Sequence, residues 1–574
     1  MKNSSLRVTL LVSVSIFCFA SAQSASIAPV AAEHGMVVTA QHLATQVGVN
    51  VLKKGGNAID AAVAVGYTLA VVYPAAGNLG GGGFMTLQLA DGRKTFLDFR
   101  EKAPAAATAN MYLDADGNVI KGLSTNGYLA AGVPGSVAGL EMAREKYGTL
   151  ARATLMAPAI RLAERGFTLT QGDADILQTA TTDFRKDAPS AAIFLNKGEA
   201  FKPGQKLVQK DLAKTLRLIS RHGPDGFYKG SVGHALVAAS TAGQGIISQA
   251  DLNQYTVREM APVECDYRGY HIVSAPPPSS GGVVICEILN IVEGYPLKEL
   301  GFRSAQAVHY QIEAMRHAYL DRNSYLGDPE FVKNPLERLL SKSYAAQIRA
   351  AIDPAKAGVS ELLKPGVAPH EGSNTTHYSI VDKDGNAVSV TYTLNDWFGA
   401  KVTAAGTGVL LNNEMDDFTI KAGVPNLYGL VQGAANAIAP GKRPLSSMSP
   451  TIITQDGKPV MVVGTPGGSR IITAVTHTIL NVIDYGMNVQ EAVDAPRFHQ
   501  QWLPDLTNVD TFAISPDTRQ ILLGMGHKLG APQPGSHLAA ILVGAPSLGG
   551  KPSGNNRFYG ANDPRRNSGL ALGY

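Results

Sequence analysis

The stretch Asn374-Thr375-Thr376-His377-Tyr378-Ser379-Ile380-Val381 decides how this chain folds and what chemistry it can perform. Its alternating side chains and its branched residues suit a pleated surface, so it predicts a β-strand that begins near Thr375. If the bond before Thr375 is cut, that one residue carries both a hydroxyl nucleophile and an amine that can act as its base. The alternative is that two threonines simply open a strand, and the rest of the chain has to decide between these hypotheses.

The N-terminus has the pattern of a cleaved export signal. Lys2 and Arg7 precede an apolar run from Val8 to Phe19, which ends at the small-x-small sequence Ala20-Ser21-Ala22. We therefore predict that residues 1–22 are a removed signal peptide. The mature protein is then expected to be periplasmic or secreted.

Composition predicts a folded globular protein with no nucleic-acid partner. Of the 574 residues, 45% are hydrophobic and 17% are charged, which allows a large core. Removing residues 1–22 takes away two positive charges and no negative one, so the formal net charge falls from +4 to +2. A polyanionic partner would require a concentrated basic face. Beyond the signal, no uninterrupted apolar run approaches the roughly 18 residues of a membrane span.

Cysteine, histidine and glycine patterns predict no metal and no cofactor. Cys265 and Cys286 remain after export, and the sequence leaves open whether they form a disulfide or a reduced buried pair. Their separation fits no zinc pattern, and the histidines are scattered with no H-E-x-x-H spacing. The run Gly80–Gly83 lacks the lysine of a phosphate-binding loop and follows a helix, so it is better explained by close backbone approach.

The spacing of apolar residues predicts that the first part of the chain is rich in helices. It predicts a helical hairpin over residues 41–54 and 57–72, with Asn57 as the cap of the second helix. Residues 84–89 and 95–99 read as two strands joined by a tight turn. From about residue 135 to residue 361 the pattern is mainly helical, with helices near 136–147, 151–165, 207–221 and 304–325.

The second part of the chain is rich in strands. Residues 354–374 are polar, carry Pro365, Pro369 and Gly372, and resemble an exposed linker that ends where Thr375 begins. Strands are predicted at 376–382, 387–394, 407–411 and 450–464, and a helix from residue 469 to about 485. Both parts can share one layered core that is cut at the linker.

Several motifs, each weak alone, support the hypothesis of an N-terminal threonine nucleophile. The chain has no G-x-S-x-G elbow, so the alternative hypothesis of a Ser-His-Asp hydrolase is strongly disfavoured. A free terminal amine with a pKa of about 7.7 to 8.0 can take the hydroxyl proton, and a hairpin would bring Thr393 beside Thr375. Gly467 and Gly468 precede a helix and offer two N–H groups to an oxyanion. Paired hydroxyls at Ser446-Ser447 and an acidic cluster over residues 412–417 complete the set.

The order of these motifs resembles the γ-glutamyltransferase, or glutathione hydrolase, family over roughly residues 35–574. The motifs are Thr-Thr-His-Tyr-Ser-Ile-Val from Thr375, Leu-Leu-Asn-Asn-Glu-Met-Asp-Asp-Phe from Leu410, Arg-Pro-Leu-Ser-Ser-Met-Ser-Pro-Thr from Arg443, Gly-Thr-Pro-Gly-Gly-Ser-Arg from Gly464 and Asp-Phe-Arg-Glu from Asp98. The resemblance implies an N-terminal-nucleophile hydrolase of the α+β class with a four-layer αββα sandwich. It also implies self-cleavage between Asn374 and Thr375, giving a large subunit of residues 23–374 and a small subunit of residues 375–574.

The resemblance also implies a role for each site residue. Thr375 is the nucleophile and Thr376 is not, Thr393 supports Thr375, and Gly467 and Gly468 form the oxyanion hole. The residues implied to bind the substrate's α-carboxylate are Arg100, Ser446 and Ser447, and those implied to bind its α-amino group are Asn395, Glu414 and Asp417. Recognition of both charges suits the zwitterionic end of an amino acid. The expected partners are glutathione-like γ-glutamyl compounds, with amino acid or dipeptide acceptors.

Two further expectations concern the rim of the pocket and the substrate class. Residues 420–433, which include Tyr428, resemble a lid loop, although a plain surface loop is the alternative. Trp397 is expected near the pocket, where its bulk would affect acceptor or leaving-group preference. The related cephalosporin acylases hydrolyse glutaryl amides, which lack the α-amino group, and remain the alternative function. The retained Glu414 and Asp417 favour γ-glutamyl substrates.

Overall fold

The strand predicted from the opening stretch is present from Thr375 to Val381 and lies inside a seven-stranded sheet. The computed structural model describes residues 26–360, 375–533 and 536–574. The predicted signal peptide and most of the predicted linker, including Asn374, lie outside the described residues. No helix within the described ranges has both the length and the apolar character needed to cross a membrane.

The strands, in chain order, are β1 (Val30–Ala32), β2 (Met36–Thr39), β3 (Gly82–Gln88), β4 (Lys94–Phe99), β5 (Phe167–Thr168), β6 (Lys206–Leu207), β7 (Arg258–Met260), β8 (Val263–Tyr267), β9 (Tyr270–Ser274), β10 (Thr375–Val381), β11 (Ala387–Thr393), β12 (Thr403–Ala404), β13 (Val409–Leu410), β14 (Thr451–Gln455), β15 (Lys458–Gly464), β16 (Phe498–His499), β17 (Thr507–Asp510), β18 (Leu529–Gln533), β19 (Ala539–Val543), β20 (Phe558–Asn562) and β21 (Leu570–Gly573).

The α-helices are α1 (His42–Lys53), α2 (Ala58–Val72), α3 (Ser136–Tyr147), α4 (Arg152–Arg165), α5 (Gln171–Thr179), α6 (Thr181–Phe184), α7 (Ala188–Phe194), α8 (Lys210–His222), α9 (Asp225–Tyr228), α10 (Gly230–Ala242), α11 (Gln249–Asn253), α12 (Gly281–Val292), α13 (Leu297–Leu300), α14 (Ala305–Tyr325), α15 (Leu336–Leu339), α16 (Lys342–Ala351), α17 (Arg470–Ile483), α18 (Val489–Asp494) and α19 (Pro516–Gly524). Short 3₁₀ helices lie at Tyr128–Ala130, Glu414–Asp417 and Ala434–Asn436.

Two large antiparallel sheets form the centre of the fold. The first has the order β1-β20-β19-β15-β14-β9-β8, and the second has the order β21-β2-β10-β11-β3-β4-β7. Their inner faces meet through buried apolar side chains such as Val38, Val381, Ile452 and Ile541. Helices α1, α2 and α3 cover the second sheet with α4 packed on α2, whereas α12, α17 and α18 cover the first with α14 packed on α12. The predicted four-layer αββα sandwich is therefore confirmed.

Local sequence signals explain how the second sheet is assembled. The side chain of Asn57 accepts a hydrogen bond from Asp60 N at 2.9 Å, and the Asp60 carboxylate accepts one from Asn57 N at 3.0 Å, which confirms the predicted cap of α2. Strand β3 then lies directly against β11. A Cβ atom on Gly81 would lie 2.0 Å from the carbonyl oxygen of Thr393, so the glycine run permits this close approach.

The mainly helical prediction for residues 135–361 is wrong over residues 258–274, and it also misses the two-residue strands β5 and β6. The three strands β7, β8 and β9 lie at 258–274, and β8 and β9 form a hairpin that turns at Arg268-Gly269. Each strand is only three to five residues long, too short for its alternation to stand out between long helices. Cys265 on β8 and Cys286 on α12 form a disulfide, which resolves the alternative left open by the sequence.

Candidate active site

The two threonines implied for catalysis face each other across neighbouring strands. Thr375 begins β10 and Thr393 ends β11, and the two residues are register partners in the antiparallel pair. Their hydroxyl oxygens lie 3.4 Å apart, and the Thr393 hydroxyl also accepts a hydrogen bond from Asn395 N at 2.8 Å. Thr376 points to the opposite face, because successive side chains alternate along a strand. Only the first of the two adjacent threonines therefore enters the pocket.

The predicted site residues converge on one pocket although they come from distant parts of the chain. Those that line it are Arg100, Thr375, Thr393, Asn395, Glu414, Asp417, Tyr428, Ser446, Ser447 and Gly468. Gly467 does not line the pocket and immediately precedes Gly468 in the chain. The structure thus brings the whole predicted set together except for one glycine, which is a neighbour of the lining.

The charged residues of the pocket are bonded to one another. The guanidinium of Arg100 donates to the carboxylates of Glu414 and Asp417, and its Nε donates to Pro444 O at 3.2 Å. Glu101 lies beside them, with one carboxylate oxygen 3.8 Å from Arg100. All three of Arg100, Glu101 and Glu414 are almost fully buried. Three carboxyl groups therefore lie beside Arg100, and even with Arg322, which also lines the pocket, acidic groups outnumber guanidiniums by one.

Burial sets the ionisation of this cluster. Burial acts to lower the pKa of Arg100, but the Glu414 and Asp417 carboxylates outweigh it and raise that pKa. Burial raises the pKa of Glu101 to about 7 and raises that of Glu414 well above its usual range. Arg100 is therefore charged at neutral pH, and the Glu101–Glu414 pair holds a proton readily. A bound cation could replace this proton and keep the cluster neutral.

The glycine pair before α17 has the geometry of an anion site. Gly467 and Gly468 have φ values of 142° and 54°, conformations that favour glycine. A Cβ atom on Gly468 would lie 2.4 Å from the ring of Tyr428, so a larger residue does not fit. Within the described ranges, no backbone or side-chain acceptor takes a hydrogen bond from either glycine N–H. The N–H of Gly468, which lines the pocket, is therefore available to a ligand.

The predicted lid loop folds over the pocket through Tyr428. The Tyr428 hydroxyl donates to Asn395 O at 2.8 Å, and Leu427 N donates to the Asp416 carboxylate at 2.8 Å. The side chain of Asn395 donates in turn to Asn413 O at 3.0 Å. The hydroxyl of Tyr428 thus joins the loop to Asn395, two residues after the end of β11.

Comparison with known proteins agrees with this geometry. A model of the family described as Gamma-glutamyltranspeptidase matches residues 44–573. The chain belongs to this family. The "Glutathione hydrolase proenzyme" of Pseudomonas sp. (strain A14) is 75% identical over 575 residues and 100% of each chain. That of Escherichia coli (strain K12) is 50% identical over 548 residues, which cover 95% of this chain and 93% of the relative.

A solved structure extends the family likeness to the whole fold. The cephalosporin acylase from Bacillus halodurans superposes with a TM-score of 0.81 at 28% identity, covering 98% of this chain and 99% of that chain. The sandwich is therefore that of the N-terminal-nucleophile hydrolases. The same framework is shared by glutathione hydrolases and acylases, so the fold alone does not distinguish the two substrate classes.

Arg322 is a pocket residue that the sequence reasoning missed. It lies on α14, lines the pocket and is 1% exposed. Its guanidinium donates to hydroxyl and amide oxygens, including Ser280 Oγ at 2.9 Å, Gln432 Oε1 at 3.1 Å and Ser447 Oγ at 3.1 Å. Burial lowers the pKa of Arg322 to about 10, so it is still charged at neutral pH. No carboxylate among the described residues forms an ion pair with it.

A sequence signal for Arg322 does exist in the pattern of α14. Arg322 falls on the same helical face as the buried residues Ile312, Met315 and Tyr319, at intervals of three or four positions. Arginine is rarely fully buried unless it is bonded, so an arginine on an apolar stripe indicates a special environment. The pattern does not tell which pocket the side chain enters.

The structure does not place Trp397 in the lining of the pocket. Its ring is half-buried against the core beneath the second sheet, and the guanidinium of Arg566 lies 5.5 Å from the ring centroid. The side chain of the preceding residue, Asp396, forms an ion pair with Lys401. An influence of Trp397 on acceptor preference would therefore have to act through other residues.

Proposed function

We propose that this protein is a γ-glutamyltransferase and glutathione hydrolase that works through an ester on Thr375. One observation carries the proposal: a threonine hydroxyl at the head of a strand lies in a pocket with two guanidiniums and two carboxylates. The hydroxyl supplies a nucleophile, and the two signs of charge suit the zwitterionic end of a γ-glutamyl group. The proenzyme relatives named glutathione hydrolase agree with this proposal.

Activation requires that Thr375 become an N-terminus. We propose that its hydroxyl attacks the carbonyl carbon of Asn374, that the peptide shifts to an ester, and that water then releases residues 23–374 from residues 375–574. Strands from both proposed subunits alternate in the second sheet, which supports a stable complex of the two subunits after cleavage. Strand β10 lies between β2 of the first segment and β11 of the second, so the two subunits share backbone hydrogen bonds and stay together after the cut.

The proposed catalytic cycle uses groups of this chain only. The freed amine of Thr375 takes the hydroxyl proton, and Thr393 holds the hydroxyl in position. The oxygen attacks the γ-carbonyl carbon, and the N–H groups of Gly467 and Gly468 stabilise the oxyanion. The amine returns its proton to the leaving nitrogen, and the acyl group remains as an ester. Water or an acceptor amine then attacks that ester and restores Thr375.

Substrate binding exchanges one set of ion pairs for another. We propose that the α-carboxylate binds to Arg100, Ser446 and Ser447, and that the α-ammonium binds to Asn395, Glu414 and Asp417. In the free chain Arg100 is bonded directly to the two carboxylates, so it has to release part of that contact. The substrate brings one positive and one negative group, and each buried charge keeps a partner of opposite sign.

The acylase alternative is less favourable on electrostatic grounds. A glutaryl end would present no ammonium to the surplus acidic groups around Glu414. Those groups would keep their buried proton or remain unpaired, and an unpaired buried charge costs several kcal/mol. We therefore place γ-glutamyl amides ahead of glutaryl amides as substrates.

Transfer to amino acid or dipeptide acceptors is the finer part of the proposal. A second cavity, of about 550 Å³, adjoins the pocket and shares Leu430 with it. It is lined mainly by residues 119–126 and by the proposed lid loop. This space can receive the acceptor or the leaving group.

Export to the periplasm after loss of residues 1–22 is likewise proposed, on the pattern of the N-terminus.

A substrate comparison tests the proposed function. The purified protein should hydrolyse γ-glutamyl p-nitroanilide with a kcat/KM at least about 30-fold above that for glutaryl p-nitroanilide, a ratio worth about 2 kcal/mol. Comparable values for both would contradict the proposed substrate class. Adding a dipeptide to the γ-glutamyl assay should yield a γ-glutamyl dipeptide. If that product does not form, the protein is a hydrolase and not a transferase.

A further inference from the structure

Two buried histidines and a glutamate meet away from the Thr375 pocket. His309 and Glu313 lie one turn apart on α14, and His527 follows the end of α19. Each of the three is at most 3% exposed. One ligand atom from each residue lies within 4.8 Å of the other two. Nothing in the proposed reaction uses these side chains.

For two neutral rings, the hydrogen bonds of the histidines determine where the ring protons lie. His309 Nε2 is 2.8 Å from Asp353 O, which can only accept, so His309 carries its proton there and its Nδ1 is an acceptor. His527 Nε2 is 2.8 Å from that Nδ1 and must therefore be the donor. The remaining nitrogen, His527 Nδ1, is left without a proton.

This bare nitrogen faces a carboxylate. His527 Nδ1 is buried, has no hydrogen-bond partner among the described residues and lies 3.9 Å from Glu313 Oε1. A lone pair directed at an anionic oxygen is unfavourable away from water. Glu313 also contacts Arg316 at 3.3 Å, and Arg316 pairs with Asp505. Arg316 is therefore shared between two carboxylates, of which Asp505 also lies 3.5 Å from Lys528 Nζ.

We propose that His309, Glu313 and His527 bind one divalent transition-metal ion, most simply Zn²⁺. Two imidazoles and a carboxylate form a ligand set that zinc uses, with a fourth position for water. The ion takes the place of the proton shared by the two rings, and that proton moves from Nε2 to Nδ1 of His527. Asp353 O holds the other nitrogen of His309, as the outer partners of metal-bound histidines do.

The movement that this site requires is small. Two Zn–N bonds of about 2.0 to 2.1 Å at a tetrahedral angle hold the nitrogens about 3.3 Å apart. The observed separation of 2.8 Å therefore has to widen by roughly half an ångström. If the chain is cut before Thr375, as proposed above, His309 and Glu313 belong to the large subunit and His527 to the small one. The ion would then join the two subunits.

Metal analysis of the wild-type protein tests the site. Tag-free protein is treated with a chelator, dialysed against Zn²⁺ and then against metal-free buffer, and its metal content is measured by mass spectrometry. We expect about one Zn²⁺ retained per chain and a rise of about 2 to 5 °C in the unfolding temperature. Cobalt substitution should give the visible absorption of tetrahedral Co²⁺. Retention below about 0.1 ion per chain, with no shift in unfolding temperature, would overturn the proposal.

Matched variants locate the ion. His309→Gln and His527→Asn should each abolish retention and the thermal shift, whereas His271→Asn should leave both unchanged. His271 is a fair control, because it is partly exposed and contacts Glu264 and Asp266. Loss of the ion in His271→Asn, or its retention in both other variants, would contradict this assignment. The wild-type titration decides the matter even if a buried variant folds poorly.

Discussion

The hydroxyl oxygens of Thr375 and Thr393 lie 3.4 Å apart across one register pair of neighbouring antiparallel strands. This pairing follows from the tight hairpin between the two strands, and it gives Thr375 a partner that Thr376 lacks. The backbone N–H of Asn395 holds the Thr393 hydroxyl from the other side. Thr393 is therefore in position to orient the proposed nucleophile.

Replacing Thr393 by valine should slow both cleavage and turnover. The shape of the side chain is kept, but the hydroxyl that orients Thr375 is lost, and misplacement of a nucleophile costs roughly 10- to 100-fold in rate. Thr393→Ser keeps the hydroxyl and should stay within a few-fold of the wild type. Steady-state kcat and the rate of fragment appearance on gels measure the two effects. A fully active Thr393→Val variant would contradict the role given to Thr393.

Replacing Glu414 by glutamine should change substrate preference. The variant removes the charge proposed to bind the α-ammonium, so kcat/KM for γ-glutamyl p-nitroanilide should fall by roughly 30- to 700-fold, or about 2 to 4 kcal/mol. The value for glutaryl p-nitroanilide should stay the same or rise. Glu145→Gln, an exposed glutamate on α3, is the matched control and should alter neither value. An equal loss on both substrates would indicate general damage to the site.

Replacing Arg322 by lysine should raise KM more than it lowers kcat. Lysine keeps the charge but cannot reproduce the planar set of bonds to Ser280, Gln432 and Ser447. Because Ser447 is implied in carboxylate binding, we expect KM to rise roughly 5- to 20-fold, the loss of one charge-assisted hydrogen bond. The effects of Arg322→Lys and Ser447→Ala should be less than additive, since they act on one contact. Arg221→Lys, on an exposed position of α8, should have no effect.

The buried carboxyl cluster should make substrate binding dependent on pH. Burial raises the pKa of Glu101 to about 7, so its protonated form dominates below that pH and its charged form above it. An ammonium group binds better to the charged form. The ratio of kcat/KM for γ-glutamyl over glutaryl p-nitroanilide should therefore fall as the pH drops through about 7. The ratio cancels the titration of the Thr375 amine, which affects both substrates alike. A ratio that does not change with pH, or an unchanged profile in Glu101→Gln, would contradict this assignment.

The parts of the fold that depend on local pattern were predicted from the sequence. The hairpin of α1 and α2, the Asn57 cap and the β10–β11 pair follow from periodicity, capping and a tight turn. Short strands were missed, because β7, β8 and β9 offer too few residues for a pattern. The pairing of Cys265 with Cys286 depends on how β8 packs against α12, and no local signal reports that contact.

The site was predicted as a set of residues but not as an arrangement. The resemblance assigned Arg100 and Glu414 to opposite ends of the substrate, whereas in the free chain they are bonded to each other although 314 positions apart in sequence. Similarly, His309 and His527 are 218 positions apart, so histidine spacing gave no sign of their contact. Arg322 was missed because its role depends on the pocket that its helix faces. Such long-range contacts are set by tertiary packing.

The central claim is that Thr375 becomes the N-terminal nucleophile, and intact-protein mass spectrometry tests it most directly. The purified wild type should give two fragments, and the smaller should begin at Thr375 by N-terminal sequencing. Thr375→Ala should remain a single uncleaved chain without activity, whereas Thr376→Val should cleave normally, because its side chain lies on the other face of β10. A wild type that stays in one piece, or a Thr375→Ala variant that is still cut at this bond, would contradict the account.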